Sequence, residues 1–238
     1  MTPDPTVASV PLSPPPVGAR DKVRLSVRKA GPLRWLSHHD LMRTFERMLR
    51  RSELPFRSSK GFHPHPRLVF ALSLPLGVVG LAEVVELELD EVIEPDVVRQ
   101  RLAAVCPPGL EITAARRIRP NESARVVGFT YGLTVPPARR AAVAERLAGA
   151  RAEAEWWVDR TRPAPRRLDI RPFVRDLRYD AAAGRLELDL WLTAAGTARP
   201  EEVLGLVGLD GAVADGALLE RIRLHLQDDA PLPSEGQP

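Results

Sequence analysis

The chain has 238 residues, of which 44% are hydrophobic and 27% charged, with a net charge of +3. That length allows one large or two small domains with their own cores, and the composition excludes a disordered chain. The longest weakly polar run, residues 68–82, is too short for a membrane helix and is broken by Pro75, Gly77 and Gly80. With no secretory pattern in the first residues and a lone Cys106 that excludes an intrachain disulfide, a cytoplasmic location is expected.

Residues 1–19 are proline-rich without hydrophobic periodicity and predict a tail, as do residues 229–238. Over residues 22–28, Val23, Leu25 and Val27 alternate with Lys22, Arg24, Ser26 and Arg28, which predicts a strand with one buried face. Ser37 is placed to cap a helix, with Asp40 at the capping-box position and Leu41, Phe45, Met48 and Leu49 as its apolar stripe. Arg43, Arg47, Arg50 and Arg51 fall on the opposite side of that helix. Further strands are predicted over residues 70–74, 85–89 and 111–117, with a helix over 94–104.

Downstream, strands are predicted over residues 126–135, 155–159, 168–179, 185–193 and 221–226, and helices over 138–149 and 200–207. The first set has the order β-α-β-β-α-β, the split βαβ plan, and the second reads as a variation on it. The expected fold is therefore α+β, with two tandem ferredoxin-like domains over residues 20–119 and 125–228, each with an antiparallel sheet.

Charge is unevenly distributed. Residues 20–67 hold 13 Lys/Arg against 4 Asp/Glu, whereas residues 81–111 hold 2 Arg against 8 acids. Opposite charges on neighbouring strands neutralise each other, so Lys22, Arg24 and Arg28 are expected to meet Glu86, Glu88 and Asp90. The helix arginines have only Glu46 and Glu53 nearby and should keep a positive field.

Between the helix and the next strand runs SSKGFHPHPR, residues 58–67. Gly61 supplies a conformation that other residues avoid, and Pro64 and Pro66 donate no hydrogen bond, so the stretch cannot lie inside a sheet ladder. It is expected to protrude as a stiff edge loop beside the helix. There Lys60 and Arg67 join Arg43, Arg47, Arg50 and Arg51 in one nucleic-acid-binding surface. The neighbouring His38 and His65 are candidate acid–base catalysts, because an imidazole titrates near neutrality. The histidine spacing does not favour a metal site, no HExxH or CxxC motif is present, and no cofactor is expected.

Residues 34–89, RWLSHHDLMRTFERMLRR through VVELEL, and RRLDIRPFV at 166–174 resemble the radical-SAM-associated family with the DUF2344 domain. Its S-H-x-D-L-x-R and G-F-x-P-H-P combinations are matched by Ser37, His38, Asp40, Arg43, Gly61, Phe62, Pro64, His65 and Pro66. The resemblance implies a radical SAM protein encoded nearby as partner, and marks Gly61, Phe62, Pro64 and Pro66 as the frame of the loop. It also singles out Asp169, Arg171 and Pro172, which are candidates for docking a partner. This chain has no CxxxCxxC run, so it is not expected to carry radical chemistry itself. Three functions follow as expectations. They are an RNA-binding or substrate-presenting accessory of a radical SAM enzyme, a metal-independent RNA-processing or RNA-modifying enzyme, and a protein scaffold that binds no nucleic acid.

Overall fold

The computed structural model describes residues 20–162 and 164–229. The segments predicted as tails lie outside the described residues, apart from Asp229, which closes a 3₁₀ turn. Among the described residues are ten strands and four α-helices. No helix among them is long and apolar enough to cross a membrane.

In the first half, β1 (Asp21–Lys29) lies between β3 (Val79–Leu89) and β4 (Leu110–Ile118), antiparallel to both. Its Val23, Leu25 and Val27 face a core shared with Val85 and Leu87. Onto that core pack α1 (His38–Arg51), through Phe45 and Leu49, and α2 (Pro95–Ala103), through Val98 and Leu102. The strand predicted at 70–74 is instead the short β2 (Leu68–Phe70). It ends there because the Leu72 and Ser73 carbonyls accept hydrogen bonds from the Arg221 guanidinium rather than from a neighbouring strand.

The second half comprises β5 (Val126–Thr134), α3 (Arg140–Ala152), β8 (Val174–Asp180), β9 (Arg185–Trp191), α4 (Pro200–Leu206) and β10 (Leu219–Leu226). The long strand predicted over 168–179 is split. β6 (Trp157–Arg160) and β7 (Arg166–Asp169) pair as a separate ribbon, and a 3₁₀ turn over Arg171–Phe173 precedes β8. Pro172 has no amide hydrogen to continue a ladder. The Asp169 carboxylate accepts from the Trp156 and Arg171 amides at 2.7 and 2.9 Å and fixes the break.

The sequence suggested one sheet for each half, but the strands form a single large sheet in the order β4-β1-β3-β10-β5-β9-β8. The architecture is mixed α/β on a mostly antiparallel sheet, and β3 with β10 is its parallel pair. One edge of β3 is shared: Val79 and Gly80 meet β10, and Val85 to Leu87 meet β2.

That junction is short in backbone and strong in charge. Arg221 of β10 is 1% exposed and donates from Nε to Glu83 Oε1 of β3 at 2.9 Å, with a second bond from Nη2 to Oε2. Its remaining donors reach the Ser73 and Leu72 carbonyls at 3.0 and 3.3 Å. Burial works against the Arg221 charge, yet the Glu83 bond and charge outweigh it and hold the guanidinium above its ordinary value. Beside it, Lys29 is also 1% exposed and donates to the Leu36 carbonyl at 2.8 Å. Desolvation pulls the Lys29 pKa down.

Removing one partner of a buried pair strands the other, at a cost of about 3–5 kcal/mol. Arg221→Ala is expected to lose that much in urea unfolding, and Arg221→Met with Glu83→Leu distinctly less.

A second buried cluster lies on the other face of the first half. Glu86, 1% exposed, meets Lys22 Nζ at 2.7 Å and accepts from Arg24 Nε and Nη2 at 3.0 and 2.8 Å. Burial pushes the Glu86 carboxyl up, but Lys22 and Arg24 outweigh it and hold the pKa below 4.5. A carboxylate depressed in the fold contributes stability that is complete above its unfolded pKa and is lost as pH falls through the folded one. Melting temperature should therefore drop as pH is lowered below about 4.5. Glu86→Gln should flatten that acid limb.

Candidate nucleic-acid interface

Helix α1 begins as its sequence predicts. Ser37 Oγ accepts from the Asp40 amide at 3.2 Å and donates to Asp40 Oδ2 at 2.6 Å, closing the first turn. Leu41, Phe45, Met48 and Leu49 are buried, so 3.6-residue periodicity turns Arg43, Arg47, Arg50 and Arg51 to the surface, where all four are exposed. Arg43 pairs with Asp40 at 3.4 Å, but the two side chains are 71% and 49% exposed, an arrangement worth about 0.5 kcal/mol or less. Arg47 donates to Thr44 Oγ1 at 3.1 Å. Among the described residues no carboxylate pairs with Arg47, Arg50, Arg51 or Lys60.

The stretch at 58–67 is the end of a narrow hairpin. The Arg67 amide donates to the Arg57 carbonyl at 2.7 Å, Ser58 bridges Pro66, and the Ser59 amide donates to the His65 carbonyl at 2.8 Å. The His65 amide donates to Ser59 Oγ at 3.1 Å. Gly61, with φ of 143°, makes the tip. Pro66 is buried, whereas Pro64 and the fully exposed Phe62 stand clear of the fold. Phe62 is thus presented by the loop and does not frame it.

The hairpin does stand beside α1. His65 Nδ1 lies 3.1 Å from Glu46 Oε1 of the helix. Between them is a cleft of about 360 Å³, lined by His39, Met42, Arg43, Glu46, His65 and Leu68. Arg67 is a different matter. It pairs with Glu88 at 3.1 Å. Glu88 alternates with the core residues Leu87 and Leu89, so this pair lies on the sheet face away from α1.

The two histidines proposed as acid–base groups do not share a site. His38 turns inward, edge-on to Phe70 at 5.3 Å, and lines a void of about 10 Å³ with Lys29 and Glu83. That volume is at the lower limit for one water, far from room for a substrate. His65 opens on the outer cleft.

The residues proposed for partner docking are mostly engaged within the chain. Asp169 accepts the two amides already described, and the Arg171 guanidinium stacks on Trp156 at 4.9 Å and donates to the Val174 carbonyl at 3.3 Å. Of the three, Pro172 is exposed. Of the strand pairs expected, Lys22 and Arg24 do meet Glu86, whereas Arg28 meets Glu111 of β4, Glu88 meets Arg57 and Arg67, and Asp90 pairs with no cation among the described residues.

If Glu46 tethers the hairpin, Glu46→Ala should raise amide hydrogen exchange across residues 58–66 while leaving α1 protected.

A family profile described as "Uncharacterized protein conserved in bacteria (DUF2344)" matches residues 22–200. None of the curated proteins matches the sequence. Among solved structures, the chain is similar to an unknown protein from Galdieria sulphuraria at 13% identity. That match covers 87% of this chain and 99% of the other, with a TM-score of 0.26, a likeness too weak to carry an argument about fold or function.

Proposed function

The chain belongs to the uncharacterised bacterial family DUF2344, and we propose that it is an RNA-binding accessory protein that presents its ligand to a separate radical SAM enzyme. The observation that carries the RNA reading is the shelf formed by α1 and the hairpin. Arg43, Arg47, Arg50 and Arg51 are exposed on α1, and the hairpin that adjoins it through His65 and Glu46 exposes Lys60 and the whole of Phe62. Single-strand binders combine a cationic track for phosphates with aromatic side chains on which bases stack. Arg67, held by Glu88, is outside the grip.

The radical SAM partnership rests on the family resemblance alone; the single cysteine of these 238 residues cannot hold an iron–sulfur cluster. We read the fold as two ferredoxin-like units with merged sheets. Its support is the matching strand orders, β4-β1-β3 with β2 on β3, and β10-β5-β9-β8. A cytoplasmic location fits such a partner. The acid–base alternative has less geometry behind it, since His38 and His65 open on different spaces.

Fluorescence anisotropy with labelled single-stranded RNA tests the grip. The logarithm of affinity should fall against the logarithm of salt concentration with a slope of about −0.7 per phosphate contacted. Replacing Arg43, Arg47 and Lys60 together with alanine should reduce that slope by about 2. Affinity indifferent to salt, or a slope unchanged in the triple variant, would overturn the reading.

A further inference from the structure

Helix α1 presents three faces. Leu41, Phe45, Met48 and Leu49 make the core stripe, and Arg43, Arg47, Arg50 and Arg51 make the exposed side already described. The third face is spelled by His39, Met42, Arg43 and Glu46, at the i, i+3, i+4 and i+7 spacing that shares one side of a helix. It forms one wall of the cleft of about 360 Å³, and His65, Pro66 and Leu68 form the other. That volume lies at the low end of the roughly 300–1,000 Å³ of small-ligand sites, room for one compact group. Arg43 belongs to both outer faces, so the cleft and the row of guanidiniums meet at its side chain.

The lining selects what enters. Met42, Pro66 and Leu68 give apolar surface, and a methionine thioether makes favourable contacts with aromatic rings. Glu46 is the one carboxylate in the lining. His65 Nδ1 lies 3.1 Å from its Oε1, and among the described residues its Oε2 has no hydrogen-bond partner. The Glu46 side chain is 25% exposed, so an occupant that covers it must offer Oε2 a donor or leave a desolvated charge unpaired. An aliphatic side chain has no donor to offer. A cationic side chain has donors but is repelled by the exposed Arg43 and Arg47. A flat ring with an amino group on its edge suits both the apolar wall and the carboxylate. Cytosine, adenine and guanine carry such a group, and uracil does not.

The neighbouring cations say how that ring arrives. A groove that tracks the phosphates of a single strand leaves its bases free to turn aside and stack on protein. With phosphates along Arg43, Arg47 and Arg50, the cleft is the apolar surface next to them. We propose that it takes one unpaired, amino-bearing base of the strand held on α1, with the ring on Met42 and Leu68 and its amino group on Glu46 Oε2. This rests on the RNA reading above and adds to it a preference among bases. A base-paired strand does not fit, because its amino groups are already engaged.

The test titrates the full-length protein with labelled hexamers of cytidine and of uridine, whose bases differ by an amino group against a carbonyl oxygen. The cytidine hexamer should bind about 10-fold more tightly or better at the same salt concentration. Glu46→Gln should bring that ratio toward one while the salt slope of cytidine binding stays unchanged, because no phosphate contact is touched. Met42→Ala should weaken cytidine binding about 2- to 10-fold, again with the slope unchanged. Circular dichroism checks that both variants fold, and if either does not, the cytidine-to-uridine ratio of the unmodified protein decides alone. Equal binding of the two hexamers with a steep salt slope overturns the base pocket and leaves the phosphate grip standing, whereas binding of neither overturns both. A ratio that survives Glu46→Gln also overturns the pocket. So does a labelled neutral peptide of leucine and proline that binds and loses affinity in Met42→Ala while the hexamers bind equally, which would assign the cleft to a protein segment.

Discussion

The bidentate contact of Arg221 with Glu83 is the joint on which the molecule depends. Strand β10 meets β3 over only two residue pairs, too few for backbone hydrogen bonding to hold the two halves in register. The guanidinium supplies what the ladder lacks, binding the carboxylate on β3 and the two carbonyls that follow β2. A fork of planar donors fits this role in a way a lysine ammonium would not. It also explains why β2 is short, since the carbonyls that could have extended it are used by Arg221. Lys29 and Tyr131, both buried beside the joint, are shifted by the same exclusion of water.

The distribution of charge follows from which cations the sheet consumes. On the open face of the first half, Lys22 and Arg24 are spent on Glu86 and Glu122. Arg57 and Arg67 are spent on Glu88. The acidic segment after residue 81 thus neutralises strand cations and leaves those of α1 untouched. The arginines of that helix sit opposite its apolar stripe, where the sheet cannot reach them. The cations of α1 and the hairpin tip therefore stay exposed, although the net charge of the chain is small.

Much of this was legible in the sequence because it is local. The Ser37 cap, the stripe of Leu41, Phe45, Met48 and Leu49, and the alternation in β1, β3 and β9 depend on neighbours within a few residues. What was not legible depends on pairing across the chain. The union of both halves in one sheet turns on residues 79–80 meeting 220–221, which no periodicity announces. Arg67 fell among the binding cations because its side of β2 is a matter of strand parity, decided by where the hairpin ends. The Asp169 carboxylate caps a break between β7 and β8 that the sequence presents as continuous strand.

The central claim is that α1 and the hairpin together are the surface that meets RNA. Hydrogen–deuterium exchange of the full-length protein, with and without saturating single-stranded RNA, addresses it most directly. The account expects slowed exchange in the exposed turns of α1 and in residues 58–66. Saturating RNA that leaves both segments unchanged, while protecting others, would contradict it.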